Sequence, residues 1–505
     1  MLFRLFLSLL VSHGVVSVNP GFRIELSEKG LDYVRQVAMP ILVKQLQNLA
    51  IPDQSGSAGT PVGSIDYSLS DIKLTEFSIP SSSLTIVANT GVQVGASGVS
   101  VHLSGHWHYR EHSWPHISDS GSCDVSASSI SLSTVVGVGA DSSGRPTISA
   151  NSCSFNIGKL DIDFHGGASW LYNLFSGTIA DGLKGSIEGS VCSAAKDAIN
   201  TQGNKALATL PVEEKLTSNS EINFELIQAP IFTSSYLETL HKGEFLYIPH
   251  PSTEIPFEPS PLPTAAASNS MMTIWITDYI VNTAGYVYQE AGVLQINITQ
   301  SMLPSGIPIS LNTTSFKPLI PELYAKYPNE AMQLFLTSTS APYINITSGF
   351  INVTAPGRLV AYVRVNETTL VNAFTLGLTM HATGHASLRR NGSQEMVIGN
   401  ATYLRSDISV VASNVGHFEA TSLEAAVNLL YQIGVIPLIN KYGAAGFAIP
   451  SVDGVTFVNP VVAQGEGYIQ ISTDINYNPS SLFSEELISL HRDKVDQLAN
   501  EGGIV

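Results

Sequence analysis

The sequence predicts an α+β protein of two similar halves, each an antiparallel, strongly twisted sheet accompanied by long helices. Three observations predict it. The run Pro249–Pro263 holds six prolines in fifteen residues and splits the chain near its middle. Proline lacks an N–H and fixes φ, so such a run stays extended and stiff, out of helices and central strands. On each side, apolar residues recur first at helical spacing, then at a period of two, then at both again. Finally, each side exceeds a typical single core. The predicted organisation is a leader at 1–18, a first domain at 19–248, a linker at 249–263, a second domain at 264–478 and an extension at 479–505. The linker reads as a rod holding the halves at a set distance.

Residues 1–18 carry Arg4, then the apolar run Leu5–Leu10 and small or apolar residues to Val18. That pattern is a secretory signal peptide, too short to span a bilayer. Ser27–Ala50 is the first helix: Leu31, Val34, Ala38, Ile41, Leu42, Leu46 and Leu49 draw one stripe, and Pro40 should kink it. From Tyr67 to Phe164 the period is two, with turn signals such as Asp141–Pro146 between runs. Ser169–Leu210 returns to helical spacing through Leu171, Leu174, Phe175, Ile179, Leu183, Ile187 and Val191. Its Gly177, Gly182, Gly185 and Gly189 weaken propensity but permit another surface to approach closely. Strands from Glu221 to Tyr247 close the half. Beyond the prolines, Ile276–Leu294 reads as a helix, 296–417 as strand-rich, Leu423–Ile439 as a second long helix and Val455–Asn476 as strands.

Seven Asn-x-Ser/Thr sequons, at Asn297, Asn312, Asn345, Asn352, Asn366, Asn391 and Asn400, all fall in the second half. They fit an exported, extracellular glycoprotein whose first half keeps a bare surface. The three cysteines are Cys123, Cys153 and Cys192. An odd count in an exported chain predicts one bridge and one leftover thiol, and spacing alone does not pair them. The formal charge is −17, with acid in excess in both halves. Nucleic acid is excluded as a partner, and anionic membranes are not strongly attracted at neutral pH. Only 13% of residues are charged against 44% hydrophobic, which suits extensive inner surfaces.

Several stretches carry a family resemblance. Val18-Asn-Pro-Gly-Phe22 and Lys29-Gly-Leu-Asp-Tyr33 match an opening, and Ile51-Pro-Asp53, Phe77–Ser82 and Ser104-Gly-His-Trp107 match first strands. Asp278–Leu294, beginning Asp-Tyr-Ile-Val-Asn-Thr-Ala-Gly-Tyr, is the most specific. The chain resembles, from Val18 to Asn478, the family of lipopolysaccharide-binding and bactericidal/permeability-increasing proteins, which also includes plasma lipid-transfer proteins. The resemblance implies an elongated boomerang of two similar barrel domains, each a twisted antiparallel sheet around a long helix, joined by a central sheet and the proline-rich linker. It implies apolar pockets for acyl chains, a Cys153–Cys192 bridge, and an unpaired Cys123. Its partners would be lipopolysaccharide, phospholipids and the Gram-negative envelope, with phospholipid or lipid A as ligand and no cofactor.

Catalytic patterns are missing: no Gly-x-Ser-x-Gly, no His-Glu-x-x-His, no P-loop and no cysteine pair at metal spacing. The sequence therefore reads as a non-enzyme. His381 and His385 read as structural, on one face without converging acids. The most informative segment is His102–His116, which holds five of the 13 histidines. In a strand alternate residues share a face, so His102, His106, His108, Arg110 and His112 line the wet side. Val101, Leu103, Trp107 and Tyr109 line the inner one. Trp114 and His116 flank Pro115 at a hairpin tip, and an indole there can enter a membrane interface.

Family members that bind lipopolysaccharide resemble this segment but carry lysines at several of these positions. Here the lysines are absent, and the neighbouring tip loop Asp53–Thr60 has no basic residue. Histidine gains charge in mildly acid solution, so the segment predicts a head-group site whose anion affinity rises as pH falls. Capture of Zn²⁺ or Cu²⁺ by His106 and His108 is a second option, with no third ligand in sight. A solvated strand face without a role is the third. The expected function is innate defence through envelope lipids; the alternative is an extracellular phospholipid carrier or transfer protein without antibacterial activity.

Overall fold

The computed structural model describes residues 19–477, except 47–50, 61–62, 151, 167–171, 209–211, 252–253, 265–268, 304–309, 392–393, 433–435, 445 and 450–454. The predicted leader at 1–18 and extension at 479–505 lie outside the described residues, as do Leu49 and Leu171.

The first half begins with β1 (Phe22–Ser27), α1 (Glu28–Leu46), β2 (Gln54–Thr60), β3 (Gly63–Ser78), β4 (Ser81–Val87), β5 (Gly91–Glu111) and β6 (Ser118–Ala140). It continues with β7 (Pro146–Ala150), β8 (Ser154–Asn156), β9 (Lys159–His165) and α2 (Tyr172–Asp197). A π-helical turn at Ala198–Gly203 leads into α3 (Asn204–Leu207). Short strands finish the half: β10 (Glu213–Lys215), β11 (Ser220–Asn223), β12 (Ile231–Phe232), β13 (Tyr236–His241) and β14 (Glu244–Tyr247). The second half opens with β15 (Met272–Thr277), α4 (Asp278–Glu290), β16 (Gln295–Ile298), α5 (Thr313–Phe316) and α6 (Pro321–Lys326). There follow β17 (Ala331–Ser338), β18 (Tyr343–Thr347), β19 (Phe350–Arg364), β20 (Leu370–Asn391) and β21 (Gln394–Ser413). It ends with α7 (Thr421–Leu430), α8 (Ile436–Gly443), β22 (Phe447–Ala448), β23 (Val455–Gly465) and β24 (Tyr468–Tyr477).

Each half owns one large antiparallel sheet. The first has eight strands in the order β2-β3-β5-β6-β7, with β4 on β5 and both β8 and β9 on β6. The second has seven, in the order β16-β17-β19-β20-β21-β22, with β18 on β19. Strands of about 20 residues stay on one sheet because register shifts bend them. Such shifts interrupt β3–β5 at Ser70/Lys73, β5–β6 at Ser97/Val99 and β20–β21 at Thr383/Gly384. A bulge adds local twist, and repeated bulges curl the sheet. The inner faces carry the cores: Leu69, Val101, Leu103, Val125 and Ile130 with Leu183, Ile187 and Val191 of α2 in the first half, and Leu334, Ala361, Phe374 and Leu376 with Leu423 of α7 in the second.

A six-stranded central sheet, β12-β13-β1-β15-β24-β23, joins the halves. Phe22 of β1 lies opposite His241 on one flank and Ile276 on the other, so strands from the two halves hydrogen-bond directly. This corrects the rod. The prolines do not hold the halves apart; they lie back along the seam, where Pro259 O accepts from Asn19 Nδ2 at 3.0 Å and Pro263 O from Arg23 Nη1 at 2.9 Å. The chain is the α+β boomerang that the family resemblance implies, mostly strand with few helices.

Other boundaries shift for local reasons. Ile276 belongs to β15 because its side chain is needed in the central core, and Gly292, at φ +67°, ends α4 before Leu294. The predicted helix at 423–439 is helical over Thr421–Leu430 and Ile436–Gly443, and 433–435 between them lie outside the described residues. In the predicted loop Asp53–Thr60, Gln54–Thr60 is the edge strand β2, paired along its length with β3. Two short helices, α5 and α6, interrupt the strand-rich stretch, the first capped by Asn312 Oδ1 on Ser315 N at 2.8 Å.

Candidate lipid and head-group surface

On β5 burial alternates without a break from Val99 to Glu111. His102, His106, His108 and Arg110 are exposed, as is His112 just past the strand, while Val101, Leu103, Trp107 and Tyr109 are buried. Trp107 is core: it stacks on Tyr109 at 5.9 Å and its Nε1 donates to His165 O at 3.3 Å.

The register brings carboxylates to the same outer face. Asp66 lies opposite Arg110, and Ser68, Ser70 and Glu76 lie opposite His108, His106 and His102. His112 Nε2 sits 2.8 Å from Asp66 Oδ2, and His106 Nδ1 sits 3.7 Å from Asp71 Oδ2. On the other side β6 presents Ser122 and Ser126, with the Ser126 hydroxyl 3.1 Å from His102 Nδ1. Hydrogen bonds from the Ser57 hydroxyl and His112 hold the Asp66 carboxyl below the usual carboxylate range. A further histidine that the sequence reading does not single out, His165 on β9, joins the same face with its Nε2 2.8 Å from Asp124 Oδ2. The surface is thus a ladder of imidazoles, carboxylates and serine hydroxyls rather than a bare histidine stripe. Among the described residues no three His, Cys, Asp or Glu side chains converge as a metal would need.

Beyond β5 the chain turns through Ser113–Ile117, with Glu111 N donating to Ile117 O at 2.8 Å. Trp114 is 88% exposed and Ile117 47% exposed. His116 adopts φ 56° at the same turn. Large apolar side chains at a free tip, beside the Arg110 guanidinium and the His112–Asp66 pair, make an apolar point with polar flanks.

The inner face is less tightly filled. Ile72, Leu74, Phe77, Leu160, Ile162 and Phe164 touch the core cluster yet stay only half-buried. Across from them α2 buries Leu183, Ile187 and Val191 and is tied down by the Cys153–Cys192 disulfide, with Cα atoms 5.7 Å apart. The glycines of α2 do not serve close packing. A Cβ added at Gly182, Gly185 or Gly189 would meet nothing within 4 Å, so this helix face looks onto open space. Gly177 lies outside the residues whose side-chain surroundings are described. Cys123 is a buried free thiol, which burial pushes up to about 11.

Against known proteins both halves of the chain find counterparts. Residues 30–202 match the profile of the LBP / BPI / CETP family, N-terminal domain, and residues 214–477 match the C-terminal domain of that family. The chain is 30% identical to a bactericidal permeability-increasing protein from Sebastes schlegelii over 463 residues, 92% of this chain and 96% of that one. It is 30% identical to the lipopolysaccharide-binding protein of Homo sapiens over 468 residues, 92% of this chain and 95% of that one. A crystal structure of lipopolysaccharide binding protein superposes with a TM-score of 0.60 at 26% identity, covering 91% of this chain and all of the other. The chain belongs to the LBP/BPI/CETP family.

In this LBP/BPI/CETP chain the second half differs in surface character from the first. Asn297, Asn366, Asn391 and Asn400 are exposed, while Asn312, Asn345 and Asn352 are half-buried. His381 and His385 both lie on β20, and here an acid does converge: His381 Nε2 sits 3.1 Å from Asp407 Oδ2 on β21. His385 Nδ1 reaches Gly349 O at 2.7 Å. No helix among the described residues is long and apolar enough to cross a membrane.

Proposed function

We propose that this is a secreted, non-enzymatic lipid-binding protein of innate defence. It binds lipopolysaccharide and phospholipid of the Gram-negative envelope, with acyl chains against the half-buried inner walls of the curled sheets. Head groups meet the tip of the first half at His102, His106, His108, Arg110, His112, Trp114 and His116. The observation that carries this reading is the tip itself: Trp114 and Ile117 are exposed beyond the strand end that carries Arg110, with the His112 imidazole just past it, on a chain whose relatives are named for bactericidal action and lipopolysaccharide binding.

Seating one indole at a lipid interface is worth about 1.5–3 kcal/mol, so Trp114→Ala is expected to weaken vesicle binding by roughly tenfold or more. Co-sedimentation with lipopolysaccharide or phosphatidylglycerol vesicles measures it, and unchanged binding would move the contact elsewhere. Asp66, Asp71 and Asp124 offset Arg110 at neutral pH, while imidazoles gain charge in mild acid. Binding is therefore expected to be tighter at pH 5.5 than at 7.5; equal affinities would remove the histidines from the head-group site.

The same carboxylates favour a second reading, a phospholipid carrier or transfer protein without antibacterial action. Lipid extracted from the purified protein, together with binding to whole Gram-negative cells, separates the two. Failure to bind lipopolysaccharide or cells at any pH leaves the carrier.

A further inference from the structure

The hairpin β18–β19 repeats one pattern on both strands. Tyr343-Ile-Asn345-Ile-Thr347 and Phe350-Ile-Asn352-Val-Thr354 each place an aromatic ring two residues before a sequon asparagine. Alternate residues of a strand share a face, so ring, asparagine and threonine stand in line on the outer surface, while Ile344, Ile346, Ile351 and Val353 point inward. The antiparallel register superposes the two patterns head to tail: Tyr343 opposite Thr354, Asn345 opposite Asn352, Thr347 opposite Phe350.

The rings are partly exposed, and Phe350 also meets the His385 ring at 5.0 Å. Tyr343 is 61% exposed and Phe350 49% exposed, and Tyr403 of β21, one strand beyond Thr383, is 52% exposed. Exposed rings on the same sheet face as the two asparagines offer an apolar surface to a first sugar. The two asparagines are not equivalent. In its sheet β18 pairs with β19 alone, and its other edge is met by α4 and the turn before β24, where Asn282 bonds both Ile344 N and Ile344 O and Gly467 N donates to Ile346 O. Asn352 is flanked on its other side by Thr383, whose hydroxyl donates to its Oδ1 at 3.2 Å. Directly opposed side chains have Cβ atoms roughly 5 Å apart, too close for two sugars each bearing an N-acetyl group.

We propose that this hairpin carries one N-linked glycan, on Asn345, whose first sugars lie over Tyr343 and the neighbouring rings, and that Asn352 stays unmodified. The donor is a lipid-pyrophosphate-linked oligosaccharide of the secretory pathway. Asn345 Nδ2 forms a bond to the anomeric carbon, the bond from that carbon to the pyrophosphate oxygen breaks, the lipid pyrophosphate leaves, and the amide gives up one proton. The apolar face of the first pyranose then rests on the aromatic surface, and the polar edges of the sugar face water.

Trypsin releases residues 327–358 as one peptide holding both sequons, because no Lys or Arg lies between Lys326 and Arg358. Mass spectrometry of the protein secreted from animal cells, with enzymatic deglycosylation in ¹⁸O-water, counts and places the sugars. The expected result is a single label on Asn345, lost in Asn345→Gln and retained in Asn352→Gln. Two labels, none, or one on Asn352 would overturn the proposal. Asn366, exposed at a turn, reports whether the chain met the transferase at all, so an unlabelled hairpin on a labelled Asn366 locates the failure at this site. Deglycosylation of the folded protein should raise binding of a hydrophobic dye, and the rise should vanish in Asn345→Gln. An equal rise in that variant overturns the covering role.

Discussion

Replacing Arg23 by methionine is expected to destabilise the protein by about 3–5 kcal/mol at pH 8, and by clearly less at pH 5. Arg23 and Glu25 are almost wholly buried on β1, at the centre of the sheet that joins the halves, with Arg23 Nε 3.3 Å from Glu25 Oε1. The guanidinium lies 3.9 Å over the Trp275 ring and donates to Pro263 O. Glu25 faces Glu238 on β13 and Thr273 on β15. Burial pushes the Glu25 carboxyl up to about 7; Arg23 pulls it down and Glu238 adds to the push. Burial also raises Glu238. Without the cation, a buried and a half-buried carboxylate face each other.

The sign for the native chain follows. Glu25 holds a proton in the folded state that the unfolded chain, at about 4.5, gives up. Stability therefore falls as pH rises from about 4.5 to about 7 and is flat above, for a total of about 3 kcal/mol. In Arg23→Met the folded carboxyls protonate more readily still, so acid rescues the variant. Urea titrations at several pH values read this directly. A loss equal at pH 5 and pH 8 would sink it.

Removing the disulfide comes next in size. Cys153 and Cys192 are 39 residues apart, and opening a loop of that length releases about 4 kcal/mol of unfolded-chain entropy. The bridge is also the only covalent tie from α2 to the sheet edge at β8. Cys192→Ala is expected to lower the unfolding free energy, read from urea titration, by that amount and to expose amide protons of α2 to exchange before those of β5 and β6. Uniform exchange across α2 and the sheet would show that the helix is held by Leu183, Ile187 and Val191 alone.

Much of the scaffold was legible because burial is one-sided. Val101, Leu103, Trp107 and Tyr109 alternate with polar residues, and the face assignment follows from period alone. What escaped depended on register between distant strands. His165 lies 49 positions beyond His116, and only the β6–β9 pairing, Ser122 opposite His165, carries it onto the same face. The partners Asp66, Asp71 and Asp124 were hidden for the same reason. β2 escaped because Gln54–Thr60 contains no large apolar residue; it is an edge strand that owes its form to hydrogen bonds with β3. Asn312 and Pro321 are start signals for α5 and α6 and were there to be read. Arg23 and Glu25 look like the wet side of an alternating strand, and their burial is imposed by β13 and the folded-back prolines.

The seam has a consequence for biosynthesis. β15 meets β1 as soon as residue 277 clears the exit channel, but its other flank belongs to 468–477, near the far end of the chain. At about 5–20 residues per second, that flank stays bare for roughly 10–40 s on every growing molecule. A bare, apolar strand edge held open that long is a binding site for chaperones and for other nascent copies, so the yield of native protein is set by how quickly its last strand arrives.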